Sequence, residues 1–333
     1  MEKNATQYVN VTDYFEDGIH FYWFVGGRNT GKTYSALNYI AHSGDKFIYI
    51  RKSKVELEIG IKSNIFSKLM ADGKTSGWEC SYNEKLSVIK HNDELMGYGT
   101  SVSTCDNVTG ADFSSFDIIF YDEFINKKGQ RNIVRDEYDT LMRMYETVAR
   151  NRELEGKEPV KLIGCSNSNS INNDIFKGLG IVTIIEKTLI EGHNIITDYE
   201  RGFKVVILET PVELAEKRKE TAIMKLTKGT SYYNMSLNND FAYDDFTNCK
   251  KINIKGFKPL VNIDNWFIWK KKGESFYYCS FDYFNIGNRY NTDIDIESIN
   301  LFRKYSYLWN YYLKNQVRFE SYEIKQKFID IFG

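Results

Sequence analysis

One stretch of the chain has the residue types and spacing of a phosphate-binding loop. Residues 26–33 fit the pattern G-x-x-x-x-G-K-[ST] in full, between an aromatic, β-branched run and a segment with helical spacing. Glycines let backbone N–H groups point at a phosphate, and a helix start adds partial positive charge. The residues predicted to hold a nucleotide are Gly26, Gly27, Arg28, Asn29, Thr30, Gly31, Lys32 and Thr33.

Three side chains of this loop raise distinct expectations. Lys32 is expected to bridge the β- and γ-phosphates of ATP, and the Thr33 hydroxyl to ligate Mg²⁺. Arg28 is unusual inside such a loop. It could face the γ-phosphate, contact a neighbouring subunit or point into solvent, and the sequence does not separate these alternatives. ATP and Mg²⁺ are therefore the predicted ligands.

Two acids follow the apolar residues 118–121 and form the second chemical element. Asp122 is expected at the carboxyl end of a strand, where it would hold Mg²⁺ directly or through water. Glu123 would orient and polarise the attacking water. Two solvated acids at a strand end are an equally good reading of this pair alone. Beside the phosphate loop, the pair predicts hydrolysis.

Two further polar positions lie at the ends of predicted elements. Asn167, with Ser166 as second candidate, is expected to sense the γ-phosphate or the lytic water; the alternative is an Asx turn that ends the strand. Arg150 closes a predicted helix, where the helix dipole favours a cation in any case. The other reading makes Arg150 an arginine finger in the site of a neighbouring subunit, which predicts an oligomer.

The order of elements predicts an α/β fold. Apolar strand-like runs alternate with helical patterns, which is typical of a mostly parallel sheet covered on both faces. One strand lies between the loop and the acids in sequence, as in the additional-strand class of P-loop ATPases. The predicted strands are residues 20–25, 46–51, 117–121, 160–165 and 203–208, and the main helices are residues 55–70 and 136–152.

The pattern changes after residue 211. A charged helical stretch comes first, then a hairpin around Gly273 and two closing helices at residues 296–314 and 322–332. A chain of 333 residues is longer than one core usually serves. We therefore predict three parts: a P-loop ATPase domain at residues 1–210, a helical linker at 211–246 and a small α+β domain at 247–333.

Charge and cysteine content narrow the function classes. The net charge is −1, yet residues 247–333 carry 14 lysines and arginines against 9 acids, which hints at a polyanion partner. No pair of the five cysteines has C-x-x-C spacing, which argues against a zinc or redox motif. Without an apolar leader or a run of transmembrane length, we expect no membrane association and a reducing cytoplasm.

These features together resemble the DNA-packaging ATPases of phi29-like tailed bacteriophages. The segments that carry the resemblance are GGRNTGKTY, FIYIRKSKVEL, IIFYDEFI, ETVARNRE, CSNSNS and YYNMSLNNDF. The resemblance implies an RNase H-like C-terminal domain and a homomeric ring, with five subunits as the expected number. It also implies docking on the portal of a procapsid in the host cytoplasm and translocation of double-stranded DNA. Whether a structural RNA takes part stays open.

The resemblance also assigns residues by position. Arg150 matches the trans-acting finger, and Lys54 matches a lysine near the inter-subunit site. A two-metal nuclease needs three or four clustered carboxylates. Asp282 stands where the first would be, but the acids at residues 293–297 are typical of a helix start, so we expect no nuclease activity.

The lysines of the C-terminal region are the predicted nucleic-acid contacts. They stand beside aromatic residues, which predicts binding to a nucleic-acid backbone; the alternative is a solvated hairpin face. The residues concerned are Lys250, Lys251, Lys270, Lys271 and Lys272, with Trp266, Phe267 and Trp269. Two rival functions for the whole chain are a P-loop kinase for a small acceptor and a nucleotide-gated scaffold with negligible turnover.

Overall fold

The computed structural model describes residues 8–108, 112–127, 136–210, 212–230, 232–233 and 244–333. These residues form two compact units by their internal contacts. The first lies within Met1–Leu179 and Thr188–Tyr243, and the second within Gly180–Lys187 and Asp244–Gly333. Most of the family-like segment at residues 232–241 lies outside the described residues.

The first unit is built on a large sheet. Its described strands are β1 (Phe21–Gly26), β2 (Phe47–Arg51), β3 (Trp78–Ser81), β4 (Ser87–His91), β5 (Glu94–Ser101), β6 (Ile118–Asp122), β7 (Lys161–Asn167), β8 (Ile195–Asp198) and β9 (Phe203–Leu208). They lie in the order β3-β4-β5-β2-β6-β7-β1-β9-β8. The six strands from β5 to β9 in this order are parallel, β4 and β8 run antiparallel to them, and β3 pairs antiparallel with β4 at one edge of the sheet.

This order confirms the predicted additional-strand fold. β7 lies between the loop strand β1 and the acidic strand β6 and pairs with both. β2, the strand predicted between the loop and the acids, instead lies on the far side of β6, and β3, β4 and β5 also precede β6 in the chain. The expected class is therefore right, although the strand that separates the loop from the acids in space comes after both in sequence.

The described helices between residues 32 and 226 are α1 (Lys32–Ser43), α2 (Lys54–Lys62), α3 (Ser67–Ala71), α4 (Glu137–Ala149), α5 (Asp174–Gly178), α6 (Val182–Ile190), α7 (Val212–Lys219) and α8 (Ala222–Leu226), and most of α6 belongs to the second unit. The single helix predicted at residues 55–70 is wrong, because α2 and α3 are separated at Asn64. Asn64 has a φ of 56°, and its side-chain amide donates to the Trp78 carbonyl at 2.8 Å. A polar contact to the sheet thus outweighs helical spacing.

The central strands of the first unit are buried on both faces. In β1, Tyr22, Trp23, Phe24 and Val25 are all buried, as expected for a parallel strand with helices on both sides. At the end of β1 only glycine fits, since a Cβ on Gly26 would lie 2.9 Å from the Leu208 Cβ of β9. Close strand packing therefore adds to the phosphate-loop reason for a glycine at this position.

The second unit is a small α+β structure. Its strands are β10 (Phe257–Ile263), β11 (Trp266–Lys271), β12 (Tyr277–Ser280), β13 (Arg289–Tyr290) and β14 (Val317–Phe319), and its helices are α9 (Asp295–Tyr305), α10 (Tyr307–Leu313) and α11 (Tyr322–Phe332). β10, β11 and β12 form an antiparallel meander, and β14 adds to β12 in parallel. The hairpin around Gly273 is confirmed, whereas the helix predicted at residues 296–314 is two helices that meet at Ser306.

No helix in the described part of the chain combines the length and apolar character needed to cross a membrane.

Candidate nucleotide site

The phosphate loop connects β1 to α1 at the carboxyl edge of the parallel strands. This edge is where open α/β sheets bind their ligands. The loop backbone turns through positive φ at Asn29 (62°) and at Gly31 (95°). Glycine reaches such angles without strain, and asparagine tolerates them better than most residues. Both residues therefore suit the turn that their positions require.

Lys32 is buried under this loop. Its Nζ donates to the carbonyls of Gly26 and Gly27 at 2.8 and 2.7 Å and to the Thr30 hydroxyl at 3.1 Å. The Thr30 hydroxyl in turn donates to the Gly27 carbonyl at 3.0 Å. Burial lowers the pKa of Lys32 to about 8, with the charges of Asp122 and Glu123 acting in the opposite direction. The ammonium is thus held close to the loop in a poorly solvated position.

Thr33 and Asp122 meet across the site. The Thr33 hydroxyl donates to Asp122 Oδ1 at 2.8 Å. Burial raises the pKa of Asp122, and the neighbouring Arg51 opposes that shift. A hydroxyl and a carboxylate oxygen side by side are the ligand chemistry that Mg²⁺ prefers, so these residues fit the predicted metal.

Glu123 lies in a strained backbone conformation beside Asp122. Its φ is 57°, and its N–H donates to the Cys165 carbonyl of β7 at 2.7 Å. Non-glycine residues in this region cost free energy and cluster at functional sites. Burial acts to raise the pKa of the Glu123 carboxyl, but Arg51 and Lys127 outweigh it, and the net shift is downward. Glu123 is therefore ionised at neutral pH and able to accept a proton.

Arg51 is a site residue that the sequence reasoning missed. Its guanidinium lies 2.7 Å from Asp122 Oδ2 and 3.1 Å from Glu123 Oε2. Arg51 ends β2, and β2 pairs with β6 so that Ile50 lies opposite Tyr121. The basic residue at the end of an apolar run was the available signal. Only the sheet order shows that this end adjoins the acids.

A cavity of about 410 Å³ opens above these groups. It is lined by Arg28, Asn29, Thr30, Gly31, Lys32, Thr33, Tyr34, Asp122, Glu123, Lys127, Ser166 and Asn167. The structure thus brings the predicted loop, both acids and the two candidate sensors to one cavity.

The two sensor candidates have different surroundings. β7 continues through both residues, and Asn167, its last residue, pairs with Gly26 in the strand register. The Ser166 hydroxyl accepts the N–H of Ile125 at 3.0 Å, which anchors the segment after Glu123. Asn167 is therefore the better placed of the two to contact a ligand, and Ser166 supports the backbone.

Arg28 is exposed at the rim of the cavity. Its carbonyl accepts a hydrogen bond from the Arg218 guanidinium of α7 at 2.8 Å. The loop is thereby joined to the helical segment that follows β9. This contact involves the backbone of Arg28, so the role of its side chain stays open.

Arg150 and Lys54 are not brought to this cavity. Arg150 follows α4 with a φ of 44° and lies 3.7 Å from Asp112. Two residues on, Arg152 bonds to the Asp117 carboxylate at 2.5 Å, at the start of β6. Arg150 is therefore near the amino ends of the parallel strands, whereas the phosphate loop of its own chain is at their carboxyl ends. Lys54 lies 2.6 Å from Glu84 in an exposed ion pair.

Residues 4–280 match the family of podovirus DNA encapsidation proteins (Gp16). The chain belongs to this family. The matched range contains every candidate residue of the nucleotide site, and it ends before Asp282. The resemblance predicted from the motifs is thus confirmed at the level of the family.

Two relatives among known phage proteins carry the description DNA packaging protein. The protein of Bacillus phage B103 is 28% identical over 228 residues, which cover 66% of this chain and 64% of that protein. The protein of Bacillus phage phi29 is 27% identical over 231 residues, covering 66% and 61%. The chain therefore spans less than two thirds of the length of these encapsidation-family relatives.

Two solved structures share the fold over nearly the whole chain. The Phi-28 gp11 DNA packaging motor is 19% identical with a TM-score of 0.64, and 98% of each chain is covered. The bacteriophage Phi-29 viral genome packaging motor assembly is 20% identical with the same TM-score, covering 98% of this chain and 99% of that one. At this identity the likeness concerns only the fold of this chain.

In the second unit of this chain, Asp282 has a carboxylate neighbour that the sequence reasoning missed. Glu320 follows β14, which pairs in parallel with β12. The Lys251 ammonium lies 2.8 Å from Glu320 Oε1 and 3.7 Å from Asp282 Oδ1. Among the described residues, no group of three or more His, Cys, Asp or Glu could hold a metal ion. A lysine therefore neutralises the acids at this end of the sheet.

The aromatic part of the predicted nucleic-acid surface is wrong. Trp266, Phe267 and Trp269 are each 2% exposed or less, because β11 has apolar clusters on both of its faces. They are core residues that cannot stack on a base. Lys270 and Lys272 are exposed, so these two predicted contacts are accessible to a nucleic-acid backbone.

Proposed function

We propose that this chain hydrolyses ATP and, as the subunit of a ring, uses the reaction to move double-stranded viral DNA into a procapsid. One observation carries the proposal: Lys32, the Thr33–Asp122 pair and Glu123 line a single cavity in a chain of the encapsidation family. A lysine-bearing loop binds phosphates, and an adjacent ionised glutamate favours water as the attacking group.

The chemistry follows from the placement of the side chains. The loop N–H groups and Lys32 would bind the phosphates of ATP, and Thr33 and Asp122 would hold Mg²⁺, which neutralises charge on phosphate oxygens. Glu123 would take a proton from water while the water oxygen bonds to the γ-phosphorus. The bond from that phosphorus to the bridging oxygen breaks, giving ADP and phosphate. Asn167 would contact the γ-phosphate and register its loss.

Arg150 is the proposed finger from a neighbouring subunit. It follows a helix whose end is tied to the start of β6, and β6 has five residues. At about 3.3 Å per residue, roughly 16 Å of strand separates that end from the acids. Arg150 therefore serves the site of another copy, and Lys54 is proposed to lie near the same inter-subunit boundary. A ring of five copies is the expected assembly.

We propose for the chain the three-part division of labour that the sequence predicts. Residues 1–210 would act as the ATPase domain, residues 211–246 as the linker and residues 247–333 as an RNase H-like domain that contacts DNA. Exposed Lys270 and Lys272 support a phosphate-backbone contact. Lys251 between Glu320 and Asp282 supports a vestigial nuclease without cleavage activity, because a fixed ammonium competes with a metal ion.

The proposed partners follow from the family. They are double-stranded DNA, further copies of this chain and the portal of the procapsid, with no membrane. The protein would act in the host cytoplasm and attach to the procapsid during packaging. A structural RNA is an optional partner that this proposal does not require.

Two rivals predict different products. A kinase would pass the γ-phosphate to a small acceptor and would have no use for Glu123. A nucleotide-gated scaffold would bind ATP with negligible turnover. Free phosphate released in the absence of any acceptor, at a rate that Glu123→Gln abolishes, argues against both.

Mixing two inactive variants tests the shared site. Lys32→Ala removes the phosphate contact and Arg150→Ala removes the finger, so each variant alone is expected to be nearly inactive. In a mixture, the intact loop of one variant meets the intact finger of the other, and partial ATPase activity returns. A mixture as inactive as its components would contradict a finger that acts between subunits.

A further inference from the structure

A buried polar network lies on the face of the sheet opposite Asp122. The Lys52 ammonium is 2.6 Å from Glu137 Oε2, and the Tyr121 hydroxyl donates to Glu137 Oε1 at 2.6 Å. The three residues are 4%, 3% and 0% exposed. Burying an ion pair costs desolvation free energy that apolar residues of similar volume avoid, so stability alone is a weak reason for it.

This network joins α4 to the strand that bears the acids. Glu137 is the first residue of α4, and Tyr121 is the last residue but one of β6. At the other end of the helix, Arg152 bonds to the Asp117 carboxylate at 2.5 Å and to the Phe116 carbonyl at 2.7 Å, just before β6 begins. α4 is therefore tied to β6 at both ends, and Arg150 lies beside the second tie.

The same two strands carry the contacts on the nucleotide side. Arg51 is the last residue of β2 and Lys52 follows it directly, and Tyr121 and Asp122 are the last two residues of β6. Because successive side chains leave a strand on opposite faces, Arg51 meets Asp122 on one face and Lys52 meets Glu137 on the other. The nucleotide contacts and the contacts to α4 are therefore made by neighbouring residues on opposite faces of the same two strands.

We propose that Glu137, held by Lys52 and Tyr121, is a positioning residue that sets where α4 presents Arg150 to the neighbouring subunit. The inference rests on the proposed function, in which Arg150 acts in trans. Glu137 touches no substrate and acts through the helix. Its effect therefore belongs to the subunit that gives the finger, and not to the subunit that binds the ATP.

The test asks which of the two subunits must carry the change for activity to fall. The Lys52→Met/Glu137→Gln double variant removes both buried charges together and keeps an acceptor for the Tyr121 hydroxyl. It is placed first in the Lys32→Ala subunit, which donates only the finger, and then in the Arg150→Ala subunit, which donates only the ATP site. Each is mixed with the unmodified complementary variant, and phosphate release is measured. Lys204→Met, which removes another buried lysine of the same unit, is the matched control.

The expected result is asymmetric. Recovered activity falls by about fivefold or more when the change is in the finger donor, and stays within about twofold when it is in the site donor. The affinity of the Arg150→Ala subunit, which supplies the ATP site, for a fluorescent ATP analogue is unchanged by the double variant. Lys204→Met leaves both mixtures unaffected. Equal loss in both arms, loss confined to the site donor, or no loss in either would overturn the inference.

Failure of the parent mixture is a separate result. If Lys32→Ala and Arg150→Ala do not complement each other, the trans finger falls and the positioning role falls with it. If they do complement but the asymmetry is missing, only the positioning role falls.

Should the double variant lose its cooperative thermal unfolding, Tyr121→Phe replaces it, since it removes one hydroxyl and keeps the ion pair. The same asymmetry, at about threefold or less, is then expected, and its absence overturns the inference.

Discussion

Tyr121 and Asp122 are neighbours on one strand whose side chains serve opposite faces of the sheet. The Asp122 carboxylate accepts the Thr33 hydroxyl at the nucleotide cavity, while the Tyr121 hydroxyl donates to Glu137 at the start of α4. The residue that would hold Mg²⁺ and a residue that anchors the helix preceding Arg150 are therefore neighbours in the chain. In the proposed ring, this adjacency would link the nucleotide site to the helix that presents Arg150.

Replacing the proposed base should stop hydrolysis and spare binding. Glu123→Gln keeps the size of the side chain and removes its charge, so kcat is expected to fall by about 10² to 10⁴-fold. Affinity for ATP should change little, because the loop and Lys32 are untouched. Phosphate release and analogue binding measure the two effects. Glu155→Gln, an exposed glutamate, is the control. A variant that hydrolyses ATP at the parental rate would remove Glu123 from this role.

ATP binding should weaken with rising pH in a range set by Lys32. Its pKa is lowered by burial to about 8, and the phosphates of ATP bind the protonated form. Affinity is therefore constant below that value and declines above it. Between pH 7 and pH 9 the dissociation constant is expected to rise about tenfold. A lysine with an ordinary pKa would show almost no change over this interval, and a flat profile would contradict the lowered value.

Most residues of the candidate nucleotide site were predictable from the sequence. The loop motif depends on contiguous residues, and the phosphate geometry requires glycines and a lysine at fixed spacing. Asp122 and Glu123 followed from an apolar run that ends in acids. Arg51 did not follow, because its role depends on β2 lying beside β6 and on the pairing of Ile50 with Tyr121. Sheet order is a property of the whole chain.

In the C-terminal region, burial and side-chain contacts could not be predicted from the sequence. A run of lysines and tryptophans predicted a surface for nucleic acid, yet β11 is covered on both faces and its tryptophans are in the core. The alternation of apolar and polar residues cannot reveal burial on both faces, since a strand covered on both faces has apolar residues at successive positions. Glu320 was missed for a related reason, because it reaches Asp282 only through the parallel pairing of β12 with β14.

The tryptophans should affect stability and not DNA binding. Trp266→Phe shrinks a fully buried side chain and is expected to lower the free energy of unfolding by about 1–3 kcal/mol. Tyr283→Ala, at a position 73% exposed, should change it by about 0.5 kcal/mol or less. Chemical denaturation measures both. A folded Trp266→Phe protein that loses affinity for DNA would restore the stacking interpretation.

The exposed lysines of β11 and the following turn should control the salt dependence of DNA binding. Lys270→Glu with Lys272→Glu removes two contacts to phosphates, so the slope of log K against log salt should fall by about 2. Affinity should fall to a similar extent for every DNA sequence. Lys90→Glu, an exposed lysine of the first unit, is the charge-matched control for one substitution. An unchanged slope would place DNA elsewhere.

We expect ATP hydrolysis by this chain to be coupled to duplex DNA. The most direct measurement is the steady-state rate of phosphate release with and without duplex DNA, on protein whose mass in solution is determined in the same buffer. The expected result is a rate that rises severalfold or more with DNA, in a multimeric assembly, and a Glu123→Gln variant that stays inactive in both conditions. A rate that DNA does not change, from a monomer that hydrolyses ATP by itself, would contradict it.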